Sequence, residues 1–248
     1  MKLLNKVAIV VGADEIGTTV AKELAKEGAK VVIGGEKKDR VESLAREIVS
    51  SGKEAMGIEC DPVKSEQVQN LVNQAVAKFG RVDVLVNTVW SNKLVPFVDT
   101  TEQMWDEILD KNLKTAFRCI RAVVPTMRKQ KYGKIVLLTF LSGISGSGLG
   151  EVPFCTAHAG VTGLMRCAAR EIGGSKININ AVAIGPMEFE SYSGIYPKDS
   201  MMKMKALISA GRFGKPEDVA GPVVALASDD SSYVTGETVI VGGGFYMS

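Results

Sequence analysis

The sequence predicts an α/β protein with one doubly wound parallel sheet that is covered by helices on both faces. Short β-branched runs such as V-A-I-V-V (7–11) alternate along the whole chain with segments whose apolar residues recur at helical spacing. This alternation implies right-handed crossovers between parallel strands. No linker, repeat or low-complexity segment interrupts the pattern, so residues 1–248 are predicted to form a single domain.

Each strand is predicted from an apolar, β-branched run between glycines or polar residues, as expected for strands buried on both faces. The predicted strands are Val7–Val11, Val31–Ile33, Glu54–Glu59, Val82–Val86, Ile135–Thr139, Ile177–Ala183 and Val239–Val241. The helices follow from 3.6-residue periodicity, with Gly28 ending the first. They are Thr18–Glu27, Arg40–Ser50, Ser65–Phe79, Thr101–Asp110, Leu113–Lys129 and Pro153–Ile172.

The composition narrows the class of protein. The 30 basic and 28 acidic residues are spread along the chain, which does not favour nucleic acid or an anionic membrane as partner. No apolar stretch reaches the roughly 18 residues of a membrane span, and the first 12 residues do not resemble a signal peptide. Four scattered cysteines and one histidine predict no metal site and reduced thiols, so we expect a cytoplasmic protein.

Several segments together resemble the short-chain dehydrogenase/reductase (SDR) family over essentially the full length. They are N-K-V-A-I-V-V-G (5–12), A-K-E-L-A-K-E-G-A-K-V-V (21–32), F-G-R-V-D-V-L-V-N (79–87), K-N-L (111–113), I-N-I-N-A-V-A (177–183), R-F-G-K-P-E-D-V-A (212–220) and S-S-Y-V-T-G (231–236). The resemblance implies a Rossmann-type fold and, usually, a dimer or tetramer. Active members of that family transfer hydride between a nicotinamide cofactor and an alcohol or carbonyl.

The first turn, V-G-A-D-E-I-G (11–17), keeps Gly12 and Gly17 of the family's phosphate-binding pattern. It is one residue shorter than the family's turn and lacks the middle glycine. Asp14 and Glu15 would place two carboxylates where the family places phosphates, which is electrostatically unfavourable. Alternatively the turn is an acidic cap, since carboxylates suit a helix N-terminus.

The next positions of the family's cofactor site are only partly retained. Gly35 stands where the family has the aspartate that binds ribose, and Glu36 would reach a ribose only if the turn shifts by one residue. Asp61 matches the family residue near the adenine, or it caps a turn before Pro62. Asn87 matches the family's asparagine after the fourth strand, or it bridges strands through side-chain hydrogen bonds.

Two aromatic residues argue further against a cofactor. Trp90 replaces a glycine close to the cofactor ribose, and Phe189 replaces the hydroxyl residue that holds the nicotinamide carboxamide. An indole of about 200 Å² or more would fill the ribose space. With Gly35, these residues predict that Gly12, Gly17, Asp61 and Asn87 are vestigial, that this chain binds no cofactor, and that NAD lies in a partner subunit.

The catalytic positions of the family are also changed. Asn112 is retained, but Phe154 stands at the tyrosine position and His158 at the lysine position. The serine position falls at Phe140, with Thr139 and Ser142 as neighbours within a one-residue ambiguity. A phenylalanine has no exchangeable proton. We therefore expect none of these positions to be catalytically functional.

The leading hypothesis is a non-catalytic subunit that supports an active NAD-dependent paralogue in a hetero-oligomer, as a dimer of dimers. The chain resembles the inactive partner of heteromeric family members such as a 2-[hydroxy(phenyl)methyl]succinyl-CoA dehydrogenase. This implies β-hydroxyacyl-CoA-type chemistry in aromatic or fatty acid breakdown. Assembly in the family uses the segments that are here Leu113–Lys129, Pro153–Ile172 and Thr235–Ser248.

Two alternatives stay open. The chain could be an active oxidoreductase with rearranged acid and base groups, for which the candidates are His158, Cys155, Tyr192 and Tyr196. It could also be a sensor that binds nucleotide without turnover. The methionine-rich stretch Met201–Met204 is either an adaptable contact surface or part of a lid helix.

Overall fold

The computed structural model describes residues 1–189 and 195–247. Its centre is a parallel sheet of seven strands in the order β3-β2-β1-β4-β5-β6-β7. The strands are β1 Val7–Val11, β2 Lys30–Gly35, β3 Ala55–Glu59, β4 Val84–Asn87, β5 Gly133–Phe140, β6 Ile177–Ile184 and β7 Thr238–Val241. The α-helices are α1 Glu15–Lys26, α2 Lys38–Ser50, α3 Ser65–Phe79, α4 Glu102–Leu109, α5 Thr115–Gln130, α6 Ser142–Ser145, α7 Val152–Ile172, α8 Lys198–Leu207 and α9 Pro216–Ala227.

Both faces of the sheet are covered, as the continuous apolar strands require. One core cluster packs α1, α2 and α9 against the sheet, and a second packs α3, α5 and α7 against the other face. Every residue of β1 and β5 is buried. The predicted fold class, a doubly wound α/β sheet, is confirmed.

The predicted strands and helices are all present, with their ends moved by up to three residues. The largest shift is at α1, which begins at Glu15 because the Asp14 carboxylate accepts a hydrogen bond from the Gly17 amide at 2.8 Å. Helices α6 and α9 were not predicted, and a helix at the position of α8 was expected only as one of two alternatives. The stretch Met201–Met204 lies within α8.

The order of the strands creates a crevice. Strand β1 pairs with β2 on one side and with β4 on the other, so the crossovers leave in opposite directions at this point. Doubly wound sheets bind ligands at the carboxyl ends of such strands. No helix in the two described ranges is long and apolar enough to cross a membrane.

Candidate active site

The crevice at the carboxyl ends of β1, β2 and β4 is a cavity of about 230 Å³. Its lining includes residues of the turn after β1, of the end of β2 and of the loop after β4, with several charged side chains. The lining residues include Gly12, Asp14, Gly35, Glu36, Lys37, Arg40, Pro62, Trp90 and Lys111. A second cavity of about 460 Å³ lies beyond it, next to Phe140 and Phe154.

The two retained glycines of the first turn are needed for close packing. Gly12 has φ +108°, and a Cβ there would lie 2.4 Å from Thr88 Oγ1. A Cβ on Gly17 would lie 2.1 Å from the Gly12 carbonyl oxygen. Close packing therefore explains both glycines, Gly12 against Thr88 and Gly17 against Gly12, whether or not a ligand binds there.

Asp14 makes two contacts at the start of α1. Its Oδ1 accepts from the Gly17 amide, and its Oδ2 accepts from Trp90 Nε1 at 2.6 Å. Desolvation raises the pKa of this carboxyl, opposed by the two hydrogen bonds. The alternative in which the acidic turn caps the helix is confirmed.

A charged pair crosses the outer part of the crevice. Lys111 Nζ forms an ion pair with the Glu36 carboxylate, and burial lowers the pKa of Lys111. Gly35 ends β2, where a Cβ would lie 3.0 Å from Val41 Cγ1. Close packing of α2 on β2 therefore accounts for this glycine.

Asp61 and Asn87 both lie near the crevice. Asp61 Oδ1 accepts from the Val63 amide at 3.0 Å, so the residue forms the turn around Pro62 and only the proline lines the cavity. Asn87 is buried at the end of β4, and its Oδ1 accepts from the Val89 amide at 3.4 Å. Both contacts are structural.

Five rings from four segments form an aromatic wall between the two cavities, which we define as Trp90, Phe140, Phe154, His158 and Phe189. Trp90 stacks on Phe189 with ring centroids 6.1 Å apart and lies 5.5 Å from Phe140. Phe154 lies 4.9 Å from Phe140 and 4.4 Å from His158. All five of these positions hold other residues in the family, so the substituted side chains pack on one another.

His158 is buried, with 1% of its surface exposed. Thr139 Oγ1 lies 3.4 Å from Nδ1, and Nε2 has no hydrogen-bond partner within residues 1–189 and 195–247. Burial lowers the pKa of His158 to about 3. The imidazole is neutral near pH 7, and no proton relay from the described residues reaches its Nε2, so it is a poor substitute for the missing acid.

This burial predicts a pH dependence of stability. The folded pKa lies below the ordinary value of about 6.5, so the unfolded chain binds a proton that the folded chain cannot, and stability falls as pH drops below about 6.5. His158 is the only histidine in the chain. Between pH 7 and pH 5 the wild type should lose about 2 kcal/mol more than His158→Met, measured by urea unfolding. Equal losses in the two proteins would contradict a neutral, buried His158.

Asn112 occupies a π-helical turn at Asp110–Lys114, between α4 and α5. Its Oδ1 accepts from the Ser91 amide at 2.9 Å, and its Nδ2 donates to the carbonyls of Ser91 and Ile108, each at 2.8 Å. The retained asparagine therefore fixes the loop after β4 to the helix. All of these partners are backbone groups.

The larger cavity has a polar corner that the sequence did not reveal. Glu151 is 3% exposed, and its carboxylate accepts from Ser147 and Tyr196 and, at 2.6 Å, from Asn92 Nδ2. No motif marks Glu151, which could have been suspected only as an acidic residue directly preceding α7. Burial of the Tyr196 hydroxyl and the neighbouring Glu151 carboxylate raise the pKa of Tyr196.

The remaining candidates of the rearranged-enzyme hypothesis are less favourable. Cys155 is half-buried, and burial raises the pKa of its thiol, so it is a weaker nucleophile. Tyr192 lies outside the described residues. Of the three candidates that the structure describes, Tyr196 is the one with its hydroxyl beside a cavity and a charged group.

Comparison with known proteins gives full-length matches. The family model described as Enoyl-(Acyl carrier protein) reductase matches residues 11–246. A 3-oxoacyl-[acyl-carrier-protein] reductase of Staphylococcus epidermidis is 38% identical over 98% of this chain and 100% of its own length. Dehydrogenase/reductase SDR family member 4 of Pongo abelii is 36% identical over 98% of this chain and 88% of its own. The crystal structure of a protein assigned as a short-chain alcohol dehydrogenase of Sinorhizobium meliloti has a TM-score of 0.94 at 30% identity, covering 98% of this chain and 97% of that one.

These matches correct one prediction. The expectation that this chain binds no cofactor and leaves NAD to its partner is wrong, because the chain matches reductases from end to end and reductase chemistry requires a bound hydride donor. Trp90, Gly35 and Phe189 change the shape of the crevice but do not outweigh that similarity. The chain belongs to the short-chain dehydrogenase/reductase family and is an oxidoreductase of that type.

Proposed function

We propose that this chain is a non-catalytic oxidoreductase subunit that holds a nicotinamide nucleotide and supports an active paralogue in a hetero-oligomer. The observation that carries the proposal is the packing of Phe154 and His158. The family's proton-transfer position has no exchangeable proton, and the neighbouring base is neutral and buried. Hydride transfer to a carbonyl requires a proton at the oxygen, and nothing in the aromatic wall supplies one.

The crevice supports the nucleotide part of the proposal. It keeps the position at the carboxyl ends of β1, β2 and β4 that the fold offers to a dinucleotide. Lys37 and Arg40 line it and are exposed, so they are available to a phosphate or a ribose. Glu36 is also placed there, held by Lys111.

Two surfaces of the chain support the proposal that a partner chain binds it. Strand β7 is the last strand of the sheet in the described chain, and all four of its residues are only half-buried. An unpaired edge with apolar residues favours association with another chain. On α7, Ala159 and Gly163 are exposed small residues that would allow another helix to approach closely. We propose an active SDR paralogue as that chain, in a dimer of dimers.

Co-expression with a paralogue encoded nearby tests this function. We expect a stable complex whose turnover is abolished by substituting the partner's catalytic tyrosine, while Tyr196→Phe in this chain leaves turnover unchanged. Size-exclusion chromatography and steady-state kinetics give the two measurements. The proposal would be contradicted if the chain purifies as a homo-oligomer and forms no complex with any paralogue.

A second candidate is a reductase of 3-oxoacyl thioesters, the activity named for the bacterial relatives. The observation that favours it is Tyr196, whose hydroxyl meets Glu151 at the edge of the 460 Å³ cavity. The raised pKa of Tyr196 makes it a reluctant proton donor. Turnover by the chain alone that is lost in Tyr196→Phe would establish this candidate over the first.

A further inference from the structure

We infer that Asp14 and Trp90 form a latch that closes the crevice in the free chain and must open before a dinucleotide binds. This inference rests on the nucleotide binding proposed above. It assigns to Asp14 the place of a ligand's phosphate and to Trp90 the place of the ligand's next sugar.

The first step concerns the charge at the start of α1. The unsatisfied amides of a helix N-terminus attract an anion. Here the Asp14 carboxylate already accepts a hydrogen bond from the Gly17 amide at 2.8 Å. Glu15 adds a second carboxylate in the same turn. A dinucleotide phosphate that approached these amides would meet like charge at contact distance.

The second step concerns the indole. The other oxygen of Asp14 holds Trp90 Nε1 at 2.6 Å, and the ring is stacked on Phe189 with an interplanar angle of 28°. Trp90 lies in the loop that follows β4, whereas Asp14 lies in the turn that follows β1. One hydrogen bond therefore ties together the two loops that flank the crevice.

The crevice is too small for a dinucleotide while the latch is closed. The crevice measures about 230 Å³ in the latched form, below the roughly 300–1,000 Å³ that is usual for small-molecule sites. A dinucleotide must therefore displace either the carboxylate or the indole. Because one hydrogen bond joins the two groups, displacing one of them removes a contact that holds the other.

Calorimetric titration with NAD⁺, NADH and NADP⁺ tests the latch in single and paired variants. Asp14→Ser keeps a residue able to cap α1 but cannot reach the indole. Trp90→Phe keeps a ring but removes the N–H donor. We expect each to raise the affinity for at least one dinucleotide by about tenfold, and the pair to gain less than the product of the two, because they share one contact. The matched controls, Asp39→Asn in the first turn of α2 and Trp105→Phe, should change affinity by less than about twofold.

A spectroscopic readout follows the latch directly. The chain has two tryptophans, so Trp90 is the only one left in Trp105→Phe. Saturation with dinucleotide should change its emission, because displacing either group breaks the hydrogen bond from the indole Nε1 to Asp14. Unchanged emission at saturation would overturn the latch.

The outcomes separate the latch from the function. If the wild type binds and both variants bind within about twofold of it, the latch is wrong and the proposed function stands. If neither the wild type nor any variant binds a dinucleotide, the latch and the proposed nucleotide site both fail, and the co-expression experiment still decides the partner role. Unfolding of each variant without ligand verifies that it is folded.

Discussion

Restoring the family's tyrosine and lysine together, with Phe154→Tyr and His158→Lys, should leave the chain inactive and strongly destabilise it. His158 is 1% exposed, and its ring centroid lies 4.7 Å from that of Phe140 and 4.4 Å from that of Phe154. No described residue forms a hydrogen bond with its Nε2. Lysines in such surroundings have pKa values of about 5–6. With an unfolded pKa of about 10.4, the lysine would cost about 4–5 kcal/mol at pH 7.

A comparison of two variants at position 158 distinguishes the cost of burying a charge from the cost of changing the shape of the side chain. His158→Met has a side chain of similar length without charge, so it is the matched control. The unfolded lysine binds a proton that the folded one has lost, so the stability of His158→Lys should rise by about 1.4 kcal/mol per pH unit between pH 7 and pH 10. Urea unfolding at several pH values measures the slope, which the methionine variant should lack.

Two results would contradict this account of the site. Equal stability of the lysine and methionine variants at pH 7 would mean that water reaches position 158. Turnover by the double variant alone would mean that the missing tyrosine and lysine are the only obstacle to catalysis. We expect none, because Trp90 and Phe189 still occupy the space beside position 154.

The strands were predictable because each is a buried run of β-branched and apolar residues, as in β1 and β5. Helix α9 was not, because Gly221 and Pro222 lie inside it and both residues ordinarily weaken or end a helix. The helix persists because Val219, Val223 and Val224 are buried against the sheet. Tertiary packing of this kind outweighs local propensity and leaves no local signal.

The sequence predicted which residues stand at each position of the site, but not how these residues contact one another. Comparing motifs revealed that Phe154, His158 and Trp90 replace the family's residues, and the structure places all three in one cluster. The bond from Trp90 to Asp14 joins residues 76 positions apart, and no pattern in the sequence predicts such a contact. The depressed pKa of His158 likewise follows from burial, which depends on four separate segments folding together.

The largest loss from a simple truncation is expected at Phe154. Its side chain is 2% exposed and packs on Phe140, His158 and Trp90. Phe154→Ala should lower the free energy of unfolding by about 3–5 kcal/mol, because the surrounding rings can collapse only partly into the space. Phe97→Ala removes an equal side chain that is 71% exposed, so it should change stability by less than about 0.5 kcal/mol.

Chemical denaturation of the two alanine variants measures the difference, and Phe154→Leu refines it. Leucine keeps most of the apolar volume but loses the edge-to-face contact with Phe140, so it should cost less than alanine and more than Phe97→Ala. If Phe154→Ala lost no more than Phe97→Ala, the aromatic wall would not be a packed core element. The ring at the family's tyrosine position would then be free to move aside instead of being held by its neighbours.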